Sequence, residues 1–142
     1  MNSRSMMLTT ALAAGLAGSA RAQTAPACHK EVLELAKQIR TATGAQAAQL
    51  NYDRAVQMRS CNWAPLDVYW SYLLAIKAAA NGVAPSLSLQ ARRGLADAMC
   101  RDGQHADGLA HFDKALAAAP GDQETSALRA ECVARRDAAA KR

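Results

Sequence analysis

AHFDKALAAAPGD, residues 110–122, sets one phenylalanine among strong helix formers and closes on a Pro-Gly stop. Phe112 is the only phenylalanine in the chain, three positions before Ala115 and eight before Pro120. A bulky ring beside a small residue is what two closely crossing helices require, because the ring fills the groove next to the point of nearest approach. LNYDRAVQMRSC, residues 50–61, repeats the layout sixty positions earlier, with Tyr52 for Phe112 and Ala55 for Ala115. Both rings are expected as interior wedges, each clamping a pair of neighbouring helices.

Working outward, alanine, leucine and charged residues dominate, and β-branched and aromatic residues are sparse. That balance favours helices over strands. The expected fold is all-α, about six antiparallel helices. Val32, Leu35, Ala36 and Ile39 mark one apolar face of a first helix, 28–42, stopped by Gly44. A second helix covers 45–59. Pro65 opens a third, which reaches Ala80 and closes at Asn81-Gly82. Its sequence is apolar on nearly every side, so burial between neighbours on both flanks is expected. Ser86 or Ser88 is expected to cap a fourth helix ending near Arg101. A fifth spans 104–118, and Asp122 and Glu124 open a sixth, 122–140.

The later unit, residues 89–122, resembles a tetratricopeptide repeat. Leu95, Ala96 and Met99 match the motif on its first helix, and Phe112, Ala115 and Pro120 match it on the second. Arg92 departs from a large apolar position and Gly108 from an alanine, the one weakening packing and the other helix propensity. Residues 29–62 form a fainter copy through Val32, Leu35, Ala36, Ile39, Ala48, Tyr52 and Ala55, with Ser60 where the proline would stand. A lone helix, 64–81, lies between the two units, and the last helix caps the array. The resemblance implies a short, irregular right-handed array of hairpins whose inner helical surface binds another protein.

The ends of the chain bear on where it works. Arg4, the uncharged run SMMLTTALAAGLAG and the small-residue pattern Ala20-Arg21-Ala22 read as a secretory signal peptide over residues 1–22, cut after Ala22, with 23–142 as one helical domain. The Ala-Pro-Ala before Cys28 is a poor lipoprotein cleavage site. Cleavage leaves 15 basic and 12 acidic residues of the original 17 and 12. A net +3 falls short of a nucleic-acid footprint and suits acidic surfaces. No transmembrane segment is expected in the mature chain, and a periplasmic or secreted location follows.

Export and four cysteines together favour disulfides. In an antiparallel hairpin Cys28 and Cys61 fall at the same end. In a repeat array Cys100 and Cys132 lie on helices that run parallel, so the expected pairs are 28 with 61 and 100 with 132.

Cys28-His29 lacks the second cysteine that covalent haem attachment needs, and no Cys-x-x-Cys, phosphate loop or Ser-His-Asp order occurs. His29, His105 and His111 are scattered, and Asp97, Asp102 and Asp107 read as solvated faces and caps. No catalytic, cofactor or metal residues are assigned. Tyr69, Trp70 and Leu73 of DVYWSY are read as sharing one helical face in the core; Trp63, Tyr69 and Trp70 are the candidate hot spots for a partner where exposed. Carrying over the repeat's inner-surface positions selects Lys30, Leu33, Lys37, Arg40 and Thr41 from the first unit, and Gln90, Arg93, Asp97 and Arg101 from the second. Arg135, Arg136, Lys141 and Arg142 form a basic tail, read as a solvated helix end.

The functional expectation is a non-catalytic periplasmic scaffold for another protein or an extended peptide. It is of the kind found as an accessory or assembly subunit, for example the small subunit of a membrane-bound quinoprotein dehydrogenase. The alternatives weighed are a helical hydrolase with a dispersed site and an envelope or membrane-surface binder acting through basic patches.

Overall fold

The computed structural model describes residues 25–142; the export segment read over residues 1–22 lies outside them. The described chain is all-α, with helices α1 (Ala25–Ile39), α2 (Gly44–Ser60), α3 (Pro65–Ala78), α4 (Pro85–Arg101), α5 (His105–Ala118) and α6 (Gln123–Ala139). Among the described residues no helix is long and apolar enough to cross a membrane.

Each break has a local cause. Asn62, Asn81, Gly82 and Gly103 take positive φ just past helix ends, which turns the chain away from the helix axis. Pro65 and Pro85 sit in first turns, where a missing N–H costs nothing. Neither Ser86 nor Ser88 caps α4: the helix already begins at Pro85, behind Ala84, and both serines fall inside its first turns. Gly44 is left-handed, φ 56°, but as the first residue of α2 rather than the stop of α1. Asp122 caps α6, accepting from the Thr125 backbone N–H at 3.1 Å and from the Thr125 hydroxyl.

Consecutive helices pack against one another, and α2 also meets α4 while α4 meets α6. Those alternate helices are each 17 residues long, whereas α3 and α5 are each 14. The helix that the sequence leaves alone between two units, α3, packs on α2 more extensively than α1 does. α1 touches no other helix as closely as α2, so it stands as a flank at one end.

The main core joins Val32, Met58, Val68, Tyr72 and Leu95 from the first four helices. A second gathers Phe112, Ala96 and the Cys100 and Cys132 sulfurs between α4, α5 and α6. Phe112 is fully buried, as its placement predicts. Tyr52 is not its equal. It is half-buried, meets Tyr72 edge-on with centroids 6.0 Å apart, and leaves part of its ring at the surface.

Both disulfides form as expected, Cys28–Cys61 and Cys100–Cys132, with Cα separations of 5.9 and 5.5 Å. Closing loops of 33 and 32 residues removes unfolded-chain entropy worth about 3 to 4 kcal/mol each.

Gly108 departs from alanine for a steric reason. A Cβ there would collide with the Cys100 sulfur and lie 2.8 Å from the Ala96 carbonyl oxygen. The helix-propensity cost of about 1 kcal/mol is therefore accepted so that α4 and α5 can approach around the disulfide.

Candidate functional site

Between α2, α4 and α6 lies an open trough of about 420 Å³, with Tyr52 and Tyr72 at its base and Val56, Arg59, Gln90, Arg93, Asp97 and Glu124 on its walls. Gly94 makes that base. A Cβ at this mid-helix position would sit 2.6 Å from Tyr72 Cε1, so only glycine admits the buried ring beneath α4.

One turn further along α4, the carboxylate of Asp97 is buried. It accepts from Arg59 of α2 at 2.7 Å and from Arg101 Nε at 2.9 and 3.1 Å, and Arg135 of α6 stands 3.7 Å away. Burial alone would raise this carboxyl; the hydrogen bonds from Arg59 and Arg101 outweigh it and hold the group below the usual carboxylate range. The same bonds overcome burial at Arg59 and keep its guanidinium charged. Three guanidiniums converge on one carboxylate at this end of the trough, with Glu131 offsetting Arg135 at 3.5 Å and Asp102 beside Arg59 and Arg101. At the other end Arg93 bridges Asp122 at 3.3 Å and Glu124 at 2.9 Å, tying α4 to the start of α6.

Burial, and next the hydrogen bond that Tyr69 donates to Asp102 at 2.6 Å, push the Tyr69 phenol well above its ordinary value. Burial also raises Tyr72, against the opposing pull of Arg59. Both phenols stay protonated at neutral pH, Tyr69 donating to Asp102 and Tyr72 accepting from the Arg59 guanidinium.

The structure brings Gln90, Arg93 and Asp97 to this trough and sets Arg101 at the Asp97 end. Lys30, Leu33, Lys37, Arg40 and Thr41 lie exposed on or just past α1, away from it, and Lys37 pairs with Glu34 at 3.2 Å. Reading Asp97 as a solvated face is overturned, because three helices converge on it. Arg135, read as part of a free tail, is drawn into the same cluster; Arg136 pairs with Asp137 at 3.0 Å.

DVYWSY divides as well. Tyr69 and Tyr72 are buried, but Trp70 is 64 % exposed and Leu73 stands outside with it, so Tyr69, Trp70 and Leu73 do not share one environment. Trp63 is half-buried, its ring tilted against that of His29 with centroids 4.4 Å apart, and it donates to Asp67 at 3.1 Å. His111 is half-buried: its Nδ1 is enclosed without a hydrogen-bond partner, and burial, then Arg92 and Lys114, lower its pKa.

Sequence reasoning missed Arg59, Arg135 and Tyr72. An isolated glycine inside the α4 pattern was the available signal for Tyr72, since such a residue marks close approach. The arginines carry no local signature.

Forked guanidiniums suit carboxylate or other anionic oxygens, and their rigid geometry favours bidentate contact. All four cysteines are in disulfides, and among the described residues no three His, Cys, Asp or Glu side chains are grouped to hold a metal ion. No family model, curated protein or solved structure matches the chain.

Proposed function

We propose that this protein is an exported, non-catalytic scaffold whose α2–α4–α6 trough holds an acidic extended segment of another protein. The carrying observation is the convergence of three guanidiniums on Asp97, two of which, Arg101 and Arg135, stay part-exposed where a partner's carboxylates would meet them beside Tyr52. We read the helices as a tetratricopeptide-like array phased differently from the sequence motif: α2–α3 and α4–α5 are the two hairpins, α6 is the cap, and α1 is an addition stapled on by Cys28–Cys61. The repeated lengths of 17 and 14 residues and the contacts of α4 with α2 and α6 support that phasing. Such arrays present rigid faces on which a segment docks with little reorganisation. Two disulfides support a periplasmic or extracellular setting and an accessory or assembly role in an envelope complex.

The test is affinity capture from the native envelope with charge reversals on two surfaces. Arg101→Glu should lose the captured protein while Lys37→Glu, on α1, retains it. Equal recovery with both variants would remove the trough from consideration.

A further inference from the structure

Seven large apolar side chains are exposed among the described residues, and four of them, Leu66, Trp70, Leu73 and Leu74, lie on α3. Their spacing of i, i+4, i+7 and i+8 makes one stripe. It runs on the opposite side of the helix from Val68, Tyr72, Ala75 and Ala79, which are buried in the core. Leu66 is 71 % and Trp70 64 % exposed, so neither is covered by the protein's own fold. Contiguous apolar surface of this kind is uncommon on isolated monomers and marks contact sites.

We propose that this stripe is the seam of a homodimer in which α3 packs antiparallel on α3 of a second copy. The charge pattern selects the occupant. Asp67 lies in the first turn of α3 and Lys77 in its last, both exposed, with the apolar residues between them. Reversing the helix about position 72 places Asp67 opposite Lys77, Trp70 opposite Leu74, and Leu73 beside the two-fold axis. The surface is therefore complementary to itself, as a two-fold interface requires. A parallel pairing would set like charges against each other, whereas the antiparallel one also opposes the helix dipoles. Asp67 accepts from Trp63 through one oxygen and keeps the other for the lysine.

From Leu66 to Lys77 the stripe is about 17 Å long at the helical rise of about 1.5 Å per residue. One helix face is smaller than the roughly 800 Å² per partner of a standard interface, so a reversible dimer of micromolar affinity is the expectation to test. It leaves the α2–α4–α6 trough open, and each assembly carries two such troughs.

Sedimentation velocity of the purified chain from about 1 to 300 μM brackets that affinity. The expected result is a shift from monomer to dimer mass. Leu73→Arg should raise the dissociation constant by about tenfold or more, equivalent to at least ~1.4 kcal/mol. Asp67→Lys or Lys77→Asp alone should weaken the dimer, and the two together should restore it, with helicity by circular dichroism confirming folding in each case. Trp70→Gln provides a second variant if Leu73→Arg loses helicity. Monomer mass throughout the range would assign the stripe to a different occupant and overturn the proposal. A dimer indifferent to both Leu73→Arg and Trp70→Gln, or a charge swap that fails to restore pairing, would also overturn it.

Discussion

The sulfur of Cys100 occupies the space that a Cβ on Gly108 would fill. That sulfur is bonded to Cys132, and both pack on Phe112, so helix approach, disulfide and aromatic wedge form one unit. In an exposed helix Gly→Ala adds about 1 kcal/mol of stability. Here Gly108→Ala should instead destabilise by about 1 to 3 kcal/mol, the cost of overpacking against a bonded sulfur and a backbone oxygen. A urea midpoint below that of the parent protein is the expected reading.

The two disulfides should fail differently. Cys28–Cys61 ties down α1, whose helix contacts are with α2. Cys28→Ala with Cys61→Ala should therefore raise amide exchange in α1 and leave α4 to α6 protected. Cys100→Ala with Cys132→Ala should lower global stability by about 2 to 5 kcal/mol and expose amides across α4 and α6 together. Exchange mapped by mass spectrometry distinguishes these outcomes.

Acid should destabilise the fold in two steps, first at α5 and then at the trough. His111 has a folded pKa below its unfolded value near 6.5, so the unfolded chain takes up the proton first. Its contribution is present above about pH 6.5 and is lost as pH falls through that value toward the folded pKa. Asp97 follows: its folded pKa is depressed, so its contribution persists above the unfolded value of about 3.9 and disappears below it. Thermal unfolding between about pH 7 and 5 should flatten in His111→Gln, while the loss below about pH 4 should diminish in Asp97→Asn.

Asp97→Asn should also cost stability at neutral pH, by about 2 kcal/mol, because it turns charge-assisted hydrogen bonds into weaker neutral ones and leaves three guanidiniums facing one another. Arg135, the most distant of the three at 3.7 Å, should matter least. A denaturant series in which Arg59→Gln is more destabilising than Arg135→Gln is the expected order.

Features fixed by local pattern were legible in the sequence. Helix starts at Pro65 and Asp122, the positive-φ stops at Asn81-Gly82, the burial of Phe112 and the Cys28–Cys61 pair follow from turn chemistry and hairpin geometry, and the Cys100–Cys132 pair from the parallel helices that the repeat resemblance implies. The Asp97 cluster was not legible, because Arg59, Asp97 and Arg135 meet only after three helices take a mutual register that no short segment encodes. Trp70 was misplaced for a related reason. α3 is apolar on nearly every side, so periodicity does not say which side the two neighbouring helices leave open. At Gly108 a motif comparison saw a lapse in helix propensity, whereas the cause is a sulfur on another helix.

The most direct measurement is an equilibrium titration, by fluorescence anisotropy, of a labelled eight-residue peptide of alternating glutamate and glycine into the purified chain. Saturable one-to-one binding per protomer is expected, weakened by salt and by Arg101→Gln, and unchanged by Lys37→Gln. Absence of saturable binding at low salt, or binding indifferent to Arg101→Gln, would contradict the trough as an acidic-segment site.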